Sequence, residues 1–193
     1  MKRLVDWFMG LDFRKAIWLA PLAWALHEAE EWNINEFESH HFADPGHFSL
    51  IDHPVLWIGL GMVASYGIIW TALTAWPKNP KFAAFLTLPF FVYLSFGNVL
   101  QHIYYAYFFR SYTPGVATAA LLVAPVVIGL TIKAIRGKLI PWWYAAILYL
   151  LTIPTMVSTV RAANHRPPQL PPQLVSAQQR TVHTARSILG RHD

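Results

Sequence analysis

Between Phe82 and Phe109 the chain runs for 28 residues without a single Lys, Arg, Asp or Glu. A helix of about 20 apolar residues is enough to cross the hydrocarbon layer of a bilayer. Inside that layer every backbone N–H and C=O must find a partner within the protein, and a helix supplies them all. Further apolar segments lie at about 16–33, 54–76, 116–135 and 141–160, with the uninterrupted apolar part of the first being the shortest. Hydrophobic residues make up 55% of the chain and charged ones 13%, well to the apolar side of a soluble protein. The pattern predicts an all-α fold, a polytopic integral-membrane helical bundle of about five transmembrane helices.

The charges between these segments predict an orientation. With the N-terminus in the cytoplasm, the inner segments hold nine Lys and Arg: Lys2, Arg3, Arg14, Lys15, Lys78, Lys81, Lys133, Arg136 and Lys138. The outer loops hold only Arg110. That asymmetry is the positive-inside signal of a multi-pass protein in the cell membrane. The five arginines after residue 160 fall on the outer side in this scheme, but charges more than about 15–20 residues from a span count little. Residues 1–15, with Leu4, Trp7, Phe8 and Leu11 at helical spacing, read as a cytoplasmic interfacial N-terminus. Residues 16–160 form the bundle domain. Residues 161–193 are expected to be a disordered tail containing Pro and Arg, opening on Arg166-Pro-Pro-Gln-Leu-Pro-Pro. No cleavable signal peptide is expected, because Met1–Asp6 has no apolar core behind it. The net charge of +5 reads as topology and lipid attraction, with no nucleic-acid partner. There is no Cys, hence neither disulfide framework nor thiolate ligand.

One segment ends against this grain. His27-Glu28-Ala29-Glu30-Glu31 closes the first apolar run with an imidazole and three carboxylates. An acidic residue at the centre of a spanning helix costs about 2.5–3.5 kcal/mol, far more than one Leu or Ile returns. Such a cluster must lie near an interface, be neutralised or be held by partners. On a helix His27, Glu30 and Glu31 share a face at i, i+3 and i+4, and Glu28 points about 100° away, toward solvent. Asn98 and His102 share a face of the third segment. At 1.5 Å per residue both faces fall in the outer half of the bilayer, so they are expected to meet there. The first loop, 34–53, lies on the same side and carries His40, His41, His47 and His53 without a Lys or Arg.

His-x-x-Glu-Glu at 27–31, Asn-x-x-x-His at 98–102 and Tyr-x-Pro-Gly at 112–115 together resemble the signatures of the HXXEE-domain family. The resemblance covers about residues 17–160 and implies a helical membrane domain. It singles out His27, Glu30, Glu31, Asn98, His102, Tyr112, Pro114 and Gly115, and implies no substrate.

Two readings of the cluster stand side by side: the wet outer end of a helix, or a site. As a site, His27, Glu30, Glu31 and His102 are candidate ligands of a divalent metal, Zn or Fe, with imidazole and carboxylate donors and room for water. Glu30, Glu31 and Tyr112 are the candidate catalytic groups, and Asn98, His40 and His41 the candidate outer-shell or substrate contacts. Pro114 and Gly115 are expected to do no more than bend a turn. The expected function is a metal-dependent membrane hydrolase or oxidase acting on a membrane lipid or another apolar small molecule. The alternatives are a metal-free isomerase using buried His and Glu, or a carrier or sensor for a cation or lipid. Gly59, Gly61, Ser65 and Gly67 form a small-residue face that suits either a homodimer or packing within the bundle.

Overall fold

The computed structural model describes residues 2–34, 37, 41, 61 and 63–164. Among them there are helices and turns and no strand. A short amphipathic helix, α1 (Lys2–Gly10), and the single turn α2 (Phe13–Ala16) precede α3 (Leu19–Glu30), which tightens into a 3₁₀ turn over Glu31–Asn33. Helix α4 covers residues 63–75; α5 is Pro80–Phe109 and α6 is Val116–Arg136. Helices α7 (Trp142–Leu150) and α8 (Ile153–Asn164) close the described part, and the stretch Trp142–Arg161 is apolar throughout most of its length.

Three helical stretches, Pro80–Phe109, Val116–Arg136 and Trp142–Arg161, are long and apolar enough to cross a membrane. The first and second expected segments do not reach that standard among the described residues. Within 54–76, positions 54–60 and 62 lie outside them. Of the predicted tail, 161–164 belong to α8 and the remainder lies outside the described residues.

The core is built where α3, α5 and α6 face one another. Ala119, Val123, Val127, Leu130 and Ala134 are spaced by three and four, a single buried stripe on α6. Ile17, just ahead of α3, and Ala20, Ala23 and Trp24 within it meet that stripe, as do Leu88, Phe91, Val92 and Val99 from α5. Many interior positions are alanine, which lets backbones approach closely. Gly67 works the same way, since a Cβ there would stand 3.3 Å from Pro21 Cβ, so this part of the small-residue face is used within the chain.

Each of three helices contains a π-turn: Val63–Ile69, Phe91–Phe96 and Ala119–Val123. Two of them sit beside prolines, and the reason is local. Proline has no N–H to donate and its ring crowds the carbonyl four residues earlier. Pro89 therefore leaves the Phe85 carbonyl without its helical donor, and Tyr144 of α7 supplies the missing hydrogen bond at 2.7 Å. In α6 the widened turn at 119–123 comes just before Pro125, whose missing N–H and bulky ring interrupt the regular ladder there. A π-turn inserts one extra residue, so everything beyond it is rotated by about 100° relative to an unbroken helix. The turn at Phe91–Phe96 thus sets the direction in which Asn98 and His102 point.

Candidate metal centre

His27 occupies the last turn of α3 and is 2% exposed, while Glu31 opens the 3₁₀ turn that follows. His102 of α5 is 3% exposed. Its Nε2 lies 2.5 Å from Glu31 Oε1, and His27 Nε2 lies 3.3 Å from the same oxygen. The two imidazoles meet edge to face, with centroids 4.9 Å apart. One ligand atom from each of His27, Glu31 and His102 falls within 4.8 Å of the others. The two polar faces therefore meet, one delivered by the end of α3 and the other by the rotated half of α5.

Asn98 completes the contact. Its Oδ1 is 2.6 Å from His27 Nε2, while His27 Nδ1 is 3.0 Å from Thr118 Oγ1. Thr118 Oγ1 in turn donates to the Gly115 carbonyl at 3.3 Å. With the ring proton on Nδ1, His27 donates to Thr118, and its Nε2 lone pair faces Glu31. With the proton on Nε2, it donates to Asn98 and accepts from Thr118, whose single hydroxyl hydrogen then leaves the Gly115 carbonyl. Thr118 is a contact that the sequence reading missed. Its signal was faint: a hydroxyl three residues after Gly115, on the first turn of the apolar α6.

Glu30 is not part of the three-residue cluster. Its side chain turns to the start of α6, where Oε1 accepts from the Ala117 N–H at 3.1 Å and Oε2 from the Thr118 N–H at 2.6 Å. The first amides of a helix have no partner of their own, and the helix dipole adds attraction for a carboxylate. The Tyr112 hydroxyl also donates to Glu30 Oε1. That bond, with partial burial and the nearby negative charge, raises the Tyr112 hydroxyl above its ordinary pKa. Glu30 and Tyr112 thus hold the α5–α6 turn to the end of α3. Glu28, expected to be solvated, accepts from Trp24 Nε1 at 2.7 Å.

Gly115 does more than bend the chain. Its φ is +88°, and a Cβ there would stand 2.7 Å from His27 Cε1, 2.8 Å from Glu31 Cγ and 3.0 Å from His102 Cε1. The glycine is pressed against all three members of the cluster. Of the first-loop histidines, His40, His47 and His53 lie outside the described residues. His41 is engaged elsewhere, with Nδ1 2.7 Å from the Phe37 carbonyl and its ring stacked on Phe37.

A cavity of about 160 Å³ opens beside the cluster, lined by Glu31, Asn98 and His102 together with Ile34, Phe37, Gln101 and Tyr105. One wall is polar, formed by Glu31, Asn98, Gln101 and His102; the other, formed by Ile34, Phe37 and Tyr105, is largely apolar. His102 Nδ1 is buried without a hydrogen-bond partner among the described residues.

The model of a family described as protein of unknown function with HXXEE motif matches residues 18–130. No curated protein and no solved structure matches the chain.

Proposed function

The chain belongs to the HXXEE family, and from that premise we propose that it is a membrane-embedded, divalent-metal-dependent enzyme acting on an apolar small molecule or lipid. The observation that carries the reading is the convergence of His27, Glu31 and His102 at the back of a cavity with an apolar wall. Two imidazoles and one carboxylate are the donor set of catalytic zinc sites and of non-haem iron sites, both of which keep positions for water or substrate. Two ligands at about 2.0–2.2 Å from one tetrahedral ion stand roughly 3.3–3.6 Å apart. The 3.3 Å between His27 Nε2 and Glu31 Oε1 fits that spacing. The 2.5 Å between Glu31 and His102 is a hydrogen bond, and has to open by nearly an ångström for both to hold one ion.

When bound, the ion supplies Lewis acidity and an activated water or dioxygen. The chain's own residues do the rest. Thr118 fixes the His27 ring through Nδ1, as an outer hydrogen bond does for a ligating imidazole. Asn98 and Gln101 present amides to the polar end of a substrate, and Ile34, Phe37 and Tyr105 receive its apolar part.

Five crossings follow from the same reading, with α3 and α4 joining the three long stretches and the N-terminus on the cytoplasmic side. Its support is the outward face of the bundle, where Leu22, Leu73, Leu121, Leu150 and Ile153 are all more than half exposed. A soluble monomer seldom shows apolar surface so continuously. The cluster then sits at the outer end and the lysines at the inner end.

The test is elemental analysis of protein purified without chelators. About one divalent ion per chain is expected, lost in His27→Ala and His102→Ala. Protein without stoichiometric metal, or variants that keep it, rejects the proposal. A second reading rests on the Glu31–His102 contact itself: a directly paired carboxylate and imidazole can move a proton without a metal. Turnover that survives exhaustive chelation selects it.

A further inference from the structure

We propose that the basic end of the bundle holds a second site, which binds the phosphate group of an anionic phospholipid. Lys133 on α6 is 6% exposed. Its ammonium donates to the carbonyls of Phe8 at 3.0 Å and Met9 at 2.7 Å, at the end of α1. An ammonium has three hydrogens, so one remains. Buried charge is costly unless it is compensated, and carbonyl oxygens bring only partial charge.

Lys133 lines a cavity of about 390 Å³, large against the roughly 30 Å³ of one water. Arg136 lines it too, three residues on and therefore on the same side of α6. Asp12 is the acid in this lining, and Arg14 already engages both of its oxygens, Oδ1 from the backbone at 2.8 Å and Oδ2 from the guanidinium at 3.3 Å. The lining therefore carries two cations, Lys133 and Arg136, against one carboxylate that Arg14 already pairs.

The neighbouring surface favours a lipid over a free phosphate. Leu139 also belongs to a second cavity, about 490 Å³, lined by Lys81, Lys138, Ile140 and Trp142. Trp142 is 70% exposed, as suits an indole at headgroup depth. A phosphate with a glycerol and acyl chains uses both the Lys133–Arg136 pocket and the Ile140 and Trp142 surface of the one beside it; inorganic phosphate uses only the first. The choice of a lipid rests on the membrane reading above, whereas the phosphate chemistry does not. Thr118 and Lys133 are 15 residues apart on α6, about 22 Å, so this site is separate from the histidine cluster.

The experiment uses the full chain in a neutral detergent, with dimyristoylphosphatidic acid, the phosphatidylcholine of the same chains, and inorganic phosphate added at equal concentrations. Thermal unfolding is the readout. Phosphatidic acid is expected to raise the midpoint saturably and phosphatidylcholine to leave it unchanged. Arg136→Gln, an exposed position that leaves the Lys133 contacts in place, is expected to weaken the apparent affinity about tenfold. Arg110→Gln, at the opposite end, is the control and leaves it unchanged. Protection by inorganic phosphate equal to that by the lipid, and lost in Arg136→Gln, overturns the lipid as the source. No protection, or protection that survives Arg136→Gln in full, overturns the site. Metal content is unaffected in every arm, so failure here is distinguishable from failure of the metal centre.

Discussion

Replacing Gly115 by alanine tests whether the α5–α6 turn is part of the site. Two costs add. The backbone at φ +88° strains any L-residue, by roughly 1–2 kcal/mol. The new methyl would also meet His27, Glu31 and His102 at 2.7, 2.8 and 3.0 Å, and an ordinary contact needs at least 3.4 Å. Three neighbours must each yield by about half an ångström, and overpacking of this kind costs about 1–3 kcal/mol. The total is about 2–5 kcal/mol, a shift in unfolding midpoint on the order of 10 °C for a chain of this length. A double-mutant cycle separates the parts. In a His27→Ala, His102→Ala background two of the three collisions vanish, so the penalty of Gly115→Ala should shrink to that of φ and the remaining Glu31 contact, leaving a coupling of about 1 kcal/mol. Gly61→Ala, where nothing among the described residues lies within 4 Å of the added carbon, is the collision-free reference. Strict additivity between Gly115→Ala and the histidine changes would refute the claim that the glycine abuts the cluster.

Glu30→Ala removes the acceptor for two α6 amides and should cost about 1–2 kcal/mol in thermal unfolding, with Glu30→Gln recovering part of it and metal content preserved in both. Loss of the ion in Glu30→Gln would instead make Glu30 a ligand. The Tyr112 pKa is raised in the folded state, so its contribution to stability is complete below pH 10 and disappears as pH rises through the folded value; ultraviolet titration of wild type against Tyr112→Phe should show one tyrosinate forming late. Thr118→Val should leave the fold intact but change the nitrogen chemical shifts of His27, with Thr118→Ser restoring them; unchanged shifts would remove Thr118 from the site. Tyr144→Phe leaves the Phe85 carbonyl unsatisfied at about 1–3 kcal/mol, a loss that Pro89→Ala should largely cancel by restoring the helical donor.

The helical class was legible because apolar runs without charges leave the backbone few choices, and it shows in α5 and α6. The meeting of His27 with Asn98 was also legible, since a constant rise per residue converts sequence position into depth. Direction was harder. Glu30 and Glu31 share a helical face on paper, but the α3 backbone tightens between them, so one carboxylate meets His102 and the other meets α6. Glu28 could not be placed because its partner Trp24 lies on the same helix, where either a solvated or a bonded carboxylate obeys the same spacing. Gly115 shows the limit most plainly. Sequence indicates that a Tyr-x-Pro-Gly turn needs a residue free to adopt positive φ, but says nothing of what presses on the far side of that residue.

These contacts also explain why an apolar bundle tolerates such a cluster. Every polar atom taken from water has to be repaid by a partner, and most are: Glu30 receives three hydrogens, and His27 is held through both ring nitrogens. His102 Nδ1 departs from the pattern, buried and without a partner among the described residues. An unsatisfied buried group of that kind costs about 1–3 kcal/mol. What offsets that cost lies on the other side of the ring, where Nε2 is 2.5 Å from Glu31 Oε1. The contribution of the imidazole is therefore made through Nε2, the nitrogen that faces Glu31. His102→Leu alone strips the mostly buried Glu31 carboxylate of its 2.5 Å partner and should destabilise. Glu31→Leu with His102→Leu, which removes both partners, should be about as stable as wild type in the absence of metal while losing whatever the cluster binds. A double variant that unfolds as readily as a cavity-creating change would mean that the ring is there for packing.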